Sequence, residues 1–284
     1  MIARRHCSIL LTLLALVLIG FFLAPILLLL LPTSFPRYTP GQGFAPGVWT
    51  LENYMRIVTD GFYLEVIART LTLGLLTTLA CLLLGYPLAY VIARGPARWR
   101  TALILAVTFP ILLNLVVRSF GWIALLANRG LVNNQLTQLG LISSPLKLMY
   151  NLTGLMIGIT HIYLPFMVFM LVAAMRNVPR EVEAAAATLG SNRLHVFTAV
   201  TLPLSAPGIL SGSILVFVLT ISALVTPRML GGPTYKVMAT MIHDEYMQLL
   251  DWASGSALSF ALAAMALGVI WASSRLTKRW AGLA

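Results

Sequence analysis

Charge is what this sequence has least of. Only 10% of its 284 residues are Asp, Glu, Lys or Arg, where a soluble domain carries about 25%. Hydrophobic residues make up 59%, and the mean hydropathy is +0.91. That balance excludes an ordinary soluble protein and points to an integral membrane protein. Cysteine is nearly absent. Cys7 precedes the first long apolar run and Cys81 lies inside the second, so neither a disulfide framework nor a metal-ligand cluster is expected. The four histidines are scattered, no H-E-x-x-H pattern occurs, and no acids pair inside a span, so no catalytic residue and no metal are assigned. A G-x-x-x-x-G-K-[ST] loop is missing as well, which leaves the chain nothing of its own to cradle the phosphates of ATP. Basic residues interleaved with aromatics are also lacking. The net charge of +11 therefore does not argue for nucleic acid.

What is present is a series of long, continuous apolar runs. In hydrocarbon every backbone polar group needs an internal partner, so such runs are read as helices. The expected fold is an all-α membrane protein of about six transmembrane helices in a single domain, residues 1–284. The first span is placed at about 9–31 and read as retained, because its apolar stretch is longer than a signal-peptide core and leads to Pro32 without an A-x-A site. The others are placed at about 64–92, 101–126, 152–175, 204–226 and 253–273. Pro87, Pro110, Pro165 and Pro207 fall within them, where proline kinks a helix. Arg4, Arg5, Arg94, Arg98, Arg100, Arg176, Arg180, Arg193, Arg275, Lys278 and Arg279 all fall on one side of this arrangement, with only Glu181 and Glu183 against them. Glu52, Asp60, Glu65, Asp244, Glu245 and Asp251 fall on the other. The positive-inside bias puts the basic side, and both termini, in the cytoplasm.

One segment on that basic side, 177–203, looks folded. It contains EVEAAAATLGSNRLHVFTAVTLP, Glu181 to Pro203. Pro179 suits a first helical turn, and Asn177 or a neighbour is placed to cap it. Glu181 and Glu183 lie where a helix N-terminus favours negative charge. Ala184 to Ala187 are strong helix formers, and Gly190 suits a left-handed stop. Ser191 or Asn192 then caps a second helix running to Pro203. The first helix carries no large apolar stripe, so a partner can approach its backbone closely. Two readings stay open on these residues: a surface hairpin, or a helix built to insert into a cleft on another protein.

The same residues resemble a family motif. In binding-protein-dependent ABC importer permeases, a cytoplasmic loop reads E-A-A, then Gly, then nine residues, then I-x-L-P. Here Gly190 is followed by nine residues and then Val200-Thr201-Leu202-Pro203. Ala185 and Ala186 match, whereas the family's glutamate position holds Ala184 and the chain's glutamate is Glu183. One residue is about 100° around a helix. TLENYMRIVTD, LLGYPLAYVIARGP, RSFGWIALLANRGLVNNQLTQLGLI, HIYLPFMVFML and LGGPTYKVMATMI are similar to the spermidine/putrescine branch of that family. The resemblance implies a type I permease that forms half of a pathway. It implies a second, homologous permease, ABC ATPase subunits that carry ATP and Mg, and a soluble extracytoplasmic substrate-binding protein. It also implies ATPase docking through Glu183, Ala184, Ala185, Ala186, Gly190, Arg193 and Pro203, with no cofactor on this chain, which is a transport subunit and not an enzyme. The location implied is the bacterial inner membrane, in contact with lipid.

Polar residues inside the spans are the remaining candidates. Arg118 is a charge costing about 3 kcal/mol at mid-membrane on insertion scales. It either snorkels to the headgroups, lines a vestibule or meets a carboxylate on a partner permease. A fixed cation is a poor ligand for a polyamine, which favours gating over direct binding. Asn114, one turn earlier, and His161 and Tyr163 before Pro165 are candidates for the pathway or for helix–helix hydrogen bonds. Trp122 is expected as an interfacial anchor. The alternative function is a self-sufficient secondary transporter of a small polar solute. The want of a clear mid-span acid counts against it.

Overall fold

The computed structural model describes residues 12–39, apart from 14, 16, 22 and 25, and residues 43–281; side chains are described except at 27, 37–48, 193 and 276–281. Cys7, Arg4, Arg5 and the start of the first expected span lie outside the described residues. Where that run is described it is helical, and it continues through a π turn, Ile26–Leu30, into Leu31–Thr33. The chain forms two compact units, one from residues 1–65 and 241–261, the other from 66–240 and 262–284.

The first departure from the all-helical expectation is an antiparallel hairpin, β1 (Pro36–Thr39) with β2 (Gly43–Trp49), paired through Tyr38 with Phe44 and Thr39 with Gly43. Its sequence is rich in Tyr, Thr, Phe, Val and Trp, residues that favour strands. It lies between apolar runs, where water can satisfy the free edges that hydrocarbon would not. Helix α1 (Glu52–Thr59) follows. In this unit the buried Ser34 is a small polar hub. Its hydroxyl donates to the Leu31 carbonyl and accepts from the Tyr54 hydroxyl at 2.8 Å, and Asn53 donates to its carbonyl at 2.9 Å. Thr33 and Tyr246 each place a hydroxyl 2.9 Å from that of Ser256.

The described helices then run α2 (Gly61–Arg94), α3 (Ala97–Leu112), α4 (Leu115–Leu126), α5 (Leu131–Gln138), α6 (Leu152–Arg176), α7 (Arg180–Thr188), α8 (Arg193–Val196), α9 (Ala206–Ile221), α10 (Met238–Met247) and α11 (Trp252–Ala281). Among the described residues, four runs are long and apolar enough to cross a bilayer: Gly61–Arg94, Leu115–Gln138, Leu152–Arg176 and Trp252–Arg275. A fifth arises if Leu194–Leu204 and Ala206–Ile221, bent by 60°, count as one broken span. The expected spans at 64–92, 152–175 and 253–273 therefore appear as single helices. The one at 101–126 does not. Leu113 and Asn114 adopt extended backbone between α3 and α4, so the run breaks three residues after Pro110. The fifth is shorter than expected and starts at the 60° bend, beside Ser205 and Pro207. Pro32 and Pro203 each follow a π turn by two residues. The wider turn moves the carbonyl four residues back away from the proline ring, relieving the clash that an α-turn would impose.

In the second unit, α6 is the central helix. Leu171, Met175, Met167 and Val168 are buried against Ala89, Ile92 and Cys81 of α2, Val107 of α3 and Val216 of α9. A second cluster joins Leu73, Leu126, Leu155, Ile159, Leu230 and Val237. In a bilayer such packing is driven by close contact rather than by escape from water, and small residues permit the closest approach. Gly208 and Gly212 of α9, spaced four apart, provide it. A Cβ added at Gly208 would stand 2.3 Å from the Ala174 Cβ, and one at Gly212 would stand 2.8 Å from the Met167 sulfur. Gly208→Leu is therefore expected to abolish the monodisperse peak of the detergent-solubilised chain and lower its melting temperature. Gly268→Leu, where an added Cβ meets nothing within 4 Å, should leave both unchanged.

Candidate functional site

The segment joining α6 to α9 forms the helical hairpin expected from its sequence. Pro179 occupies the cap position before α7 rather than its first turn, with no side-chain cap, and Asn177 closes α6 instead. At the far end Gly190 adopts φ +88°, the left-handed region. Its N–H donates to the Ala187 carbonyl at 3.1 Å and that of Ser191 to the Ala186 carbonyl at 3.3 Å. This pair of bonds satisfies two otherwise orphaned carbonyls of the last turn. Asn192 then caps α8, its Oδ1 accepting from the His195 N–H at 2.7 Å. The second arm continues through a π turn, Phe197–Thr201, and Leu202–Leu204 to the bend at Ser205.

The hairpin's outer face is apolar and unusually bare. Leu189 is 88% exposed and Leu194 71%, with Val182, Ala184 and Ala185 exposed beside them; Ala186 is half-buried. Arg193 begins α8. Pro203 is exposed and lines an apolar cavity of about 460 Å³ with Thr198, Leu202, Ala206, Ile209 and Leu210.

Glu183 is not on that face. Its carboxylate turns inward and accepts from Arg94 Nε at 3.2 Å, from Arg94 Nη2 at 2.9 Å and from the Thr201 hydroxyl at 3.0 Å. Arg94 Nη2 also donates to the Val178 carbonyl at 2.9 Å. The pair is largely enclosed, with side-chain exposures of 10% for Arg94 and 18% for Glu183. Glu183, expected among the docking residues, here turns toward α2: one step along the helix is about 100°, which carries residue 184 outward and residue 183 inward. Two aromatics of α2 grip the second arm as well. Phe197 packs edge-on against Tyr86 and Tyr90, at 5.6 and 5.8 Å between centroids, and the Tyr86 hydroxyl lies 2.9 Å from that of Ser205. The sequence reading missed Arg94, Thr201 and Phe197. Arg94 had a signal, since Glu181 and Glu183 are the only acids on the basic side of the chain.

The polar span residues divide. Asn114 is the cap of α4, its Oδ1 accepting from the Val116 N–H at 2.8 Å. Trp122 is not a free interfacial anchor. Its indole N–H donates to His161 Nδ1 at 3.2 Å, with the rings edge to face at 5.4 Å. That bond leaves the His161 proton on Nε2 when the ring is neutral. Tyr163 packs beside Phe166 and both buried clusters. Arg118 Nε and Nη1 are buried with no hydrogen-bond partner among the described residues. Trp122 thus pairs with His161 and packs with Tyr163 on one buried cluster. Among the described residues no group of three His, Cys, Asp or Glu is placed to hold a metal.

Comparison with known proteins decides the family. Residues 7–276 match the binding-protein-dependent transport system inner membrane component. The chain belongs to that family. It is a family of membrane transport components rather than of enzymes, and the chain is an inner-membrane protein. Over 255 residues it is 32% identical to the spermidine/putrescine transport system permease protein PotB of Escherichia coli (strain K12), covering 89% of this chain and 92% of the relative. It is 30% identical over 261 residues to PotB of Haemophilus influenzae, covering 92% and 90%. In fold it is similar to a chain of the bacterial alginate ABC transporter solved in complex with an alginate-bound periplasmic protein, with a TM-score of 0.76, 20% identity, and coverage of 97% and 96%.

The hairpin's stop makes a direct prediction. An added Cβ at Gly190 meets nothing within 4 Å, so any cost of Gly190→Ala is conformational, about 1–2 kcal/mol for a left-handed L-residue. Gly190→Asn, which tolerates that region better, should cost less. Thermal melting of the purified chain in detergent ranks the two.

Proposed function

We propose that this chain is the permease subunit of an ATP-driven importer of polyamines such as spermidine or putrescine, forming half of the pathway. Six spans with both termini in the cytoplasm complete the topology. A separate ABC ATPase, which holds ATP and Mg, docks on the hairpin at Ala184, Ala185, Ala186, Gly190, Arg193 and Pro203. This chain binds no cofactor itself. A second, homologous permease completes the pathway, and a soluble extracytoplasmic protein delivers substrate.

The observation that carries this reading is identity to spermidine/putrescine permeases over 89% and 92% of the chain. The hairpin supports the docking part. Its exposed leucines stand on the basic side of the chain, where a protein partner would cover them. ATPase closure would push the hairpin and rock the spans between outward- and inward-open states. Arg118, with His161 and Tyr163, fits a gate better than a direct polyamine ligand, because like charges repel.

The test is purification of the tagged chain from its own host in mild detergent. An ATPase and a second permease are expected to come with it, and the reconstituted complex should take up spermidine or putrescine only with ATP and the binding protein. A lone, stable chain that transports without ATP would overturn the reading in favour of a secondary transporter. Within the complex, Leu189→Glu should release the ATPase while leaving the chain's own melting temperature unchanged, because that side chain is 88% exposed.

A further inference from the structure

Most of the hairpin's polar contacts serve its own turns, but one set does not. Arg94 is the last residue of α2, and Glu183 lies in the first turn of α7. The C-terminal end of a helix favours a cation and the N-terminal end an anion. Here the two helix ends face each other across the ion pair, so both macrodipoles reinforce it. Three donors converge on one carboxylate oxygen: two guanidinium nitrogens of Arg94 and the hydroxyl of Thr201 on the second arm. Arg94 also holds the Val178 carbonyl, in the link that enters α7. One cluster therefore ties together the end of a 34-residue span helix, the entry to the hairpin, its first arm and its second arm. The enclosed geometry makes each bond charge-assisted and poorly replaced by water. Breaking one partner would leave a largely desolvated charge behind.

We propose that Glu183, Arg94 and Thr201 are positioning residues that transmit displacement of the docked hairpin to α2. Glu183 then does not touch the ATPase. Docking belongs to the exposed face that carries Ala184, Ala185, Leu189 and Leu194, and transmission belongs to the opposite, inward face. Without the cluster, what the described residues leave between the hairpin and α2 on that side are the Phe197 contacts with Tyr86 and Tyr90 and the Tyr86–Ser205 hydroxyl pair. The hairpin would then move under ATPase closure while α2 lagged. This inference rests on the ATPase-driven reading above.

The experiment uses the complete complex purified from its host and reconstituted in liposomes, with the near-isosteric variants Glu183→Gln and Thr201→Val and the charge-removing variant Arg94→Gln. Three quantities are read: ATPase retained per permease, ATP hydrolysed, and solute taken up per ATP. Glu183→Gln and Arg94→Gln should each retain the ATPase at the wild-type ratio and lower uptake per ATP about tenfold, the scale of one charge-assisted bond. The double variant should be no worse than either single one, since both break the same link. Thr201→Val should give a smaller loss in the same quantity, and the exchanged pair Glu183→Arg with Arg94→Glu should recover part of it. Loss of the ATPase in Glu183→Gln but not in Arg94→Gln would overturn the proposal and return Glu183 to the docking surface. Unchanged uptake per ATP in all three variants would overturn it equally. A wild-type chain that carries no ATPase would instead bring down the importer reading, and this inference with it. If Glu183→Gln fails to fold, Thr201→Val decides, because an enclosed hydroxyl can be removed without leaving a charge.

Discussion

The close approach of α6 and α9 at Gly208 and Gly212 is the contact on which the rest of the second unit depends. The two helices are consecutive spans, and the hairpin is the chain that joins them. Fixing Ala174 against Gly208 therefore fixes both points from which the hairpin hangs. The contact needs glycine because any Cβ there would overlap its neighbour. In lipid, where no hydrophobic force pulls helices together, dispersion across such a close contact is what remains to hold them.

From that anchor the hairpin acquires two chemically different faces. Its outer face exposes Leu189 and Leu194, which water disfavours and a protein partner would cover. Its inner face carries the enclosed ion pair of Glu183 and Arg94. The separation follows from helical geometry and from one capped turn. Gly190 stops α7 within nine residues, Asn192 starts the next arm, and the short first arm can then turn only one side toward α2. A force applied to the outer face is delivered to the inner one, because a two-turn helix with a closed C-terminus is stiff on that scale.

The polar residues of the spans obey a different logic. Trp122 gives up its only donor to His161, so that contact is settled inside the chain. Arg118 is left with Nε and Nη1 enclosed and without partners among the described residues. A chain that keeps such a cation in an apolar helix bears a desolvation cost, which suits a residue whose partner or solvation changes with the state of the transporter.

Composition, hydropathy and loop charge were enough to establish a membrane protein, most of its spans and the hairpin with its turn at Gly190, because each depends on local rules: apolar length, capping and left-handed tolerance. The E-A-A and Gly spacing carried the family as well. The β1–β2 pairing, the break at Leu113 and Asn114 and the 60° bend were not legible. Strand pairing and helix breaks depend on what the neighbouring chain supplies, and proline alone does not say whether a helix kinks or stops. The direction of Glu183 was the least legible of all. A one-residue shift in a motif is ambiguous in a string of letters, but on a helix it is a rotation of about 100°. Only the tertiary structure, by bringing the end of α2 beside the first turn of α7, decided that this rotation gives the carboxylate Arg94 and Thr201 rather than an open face.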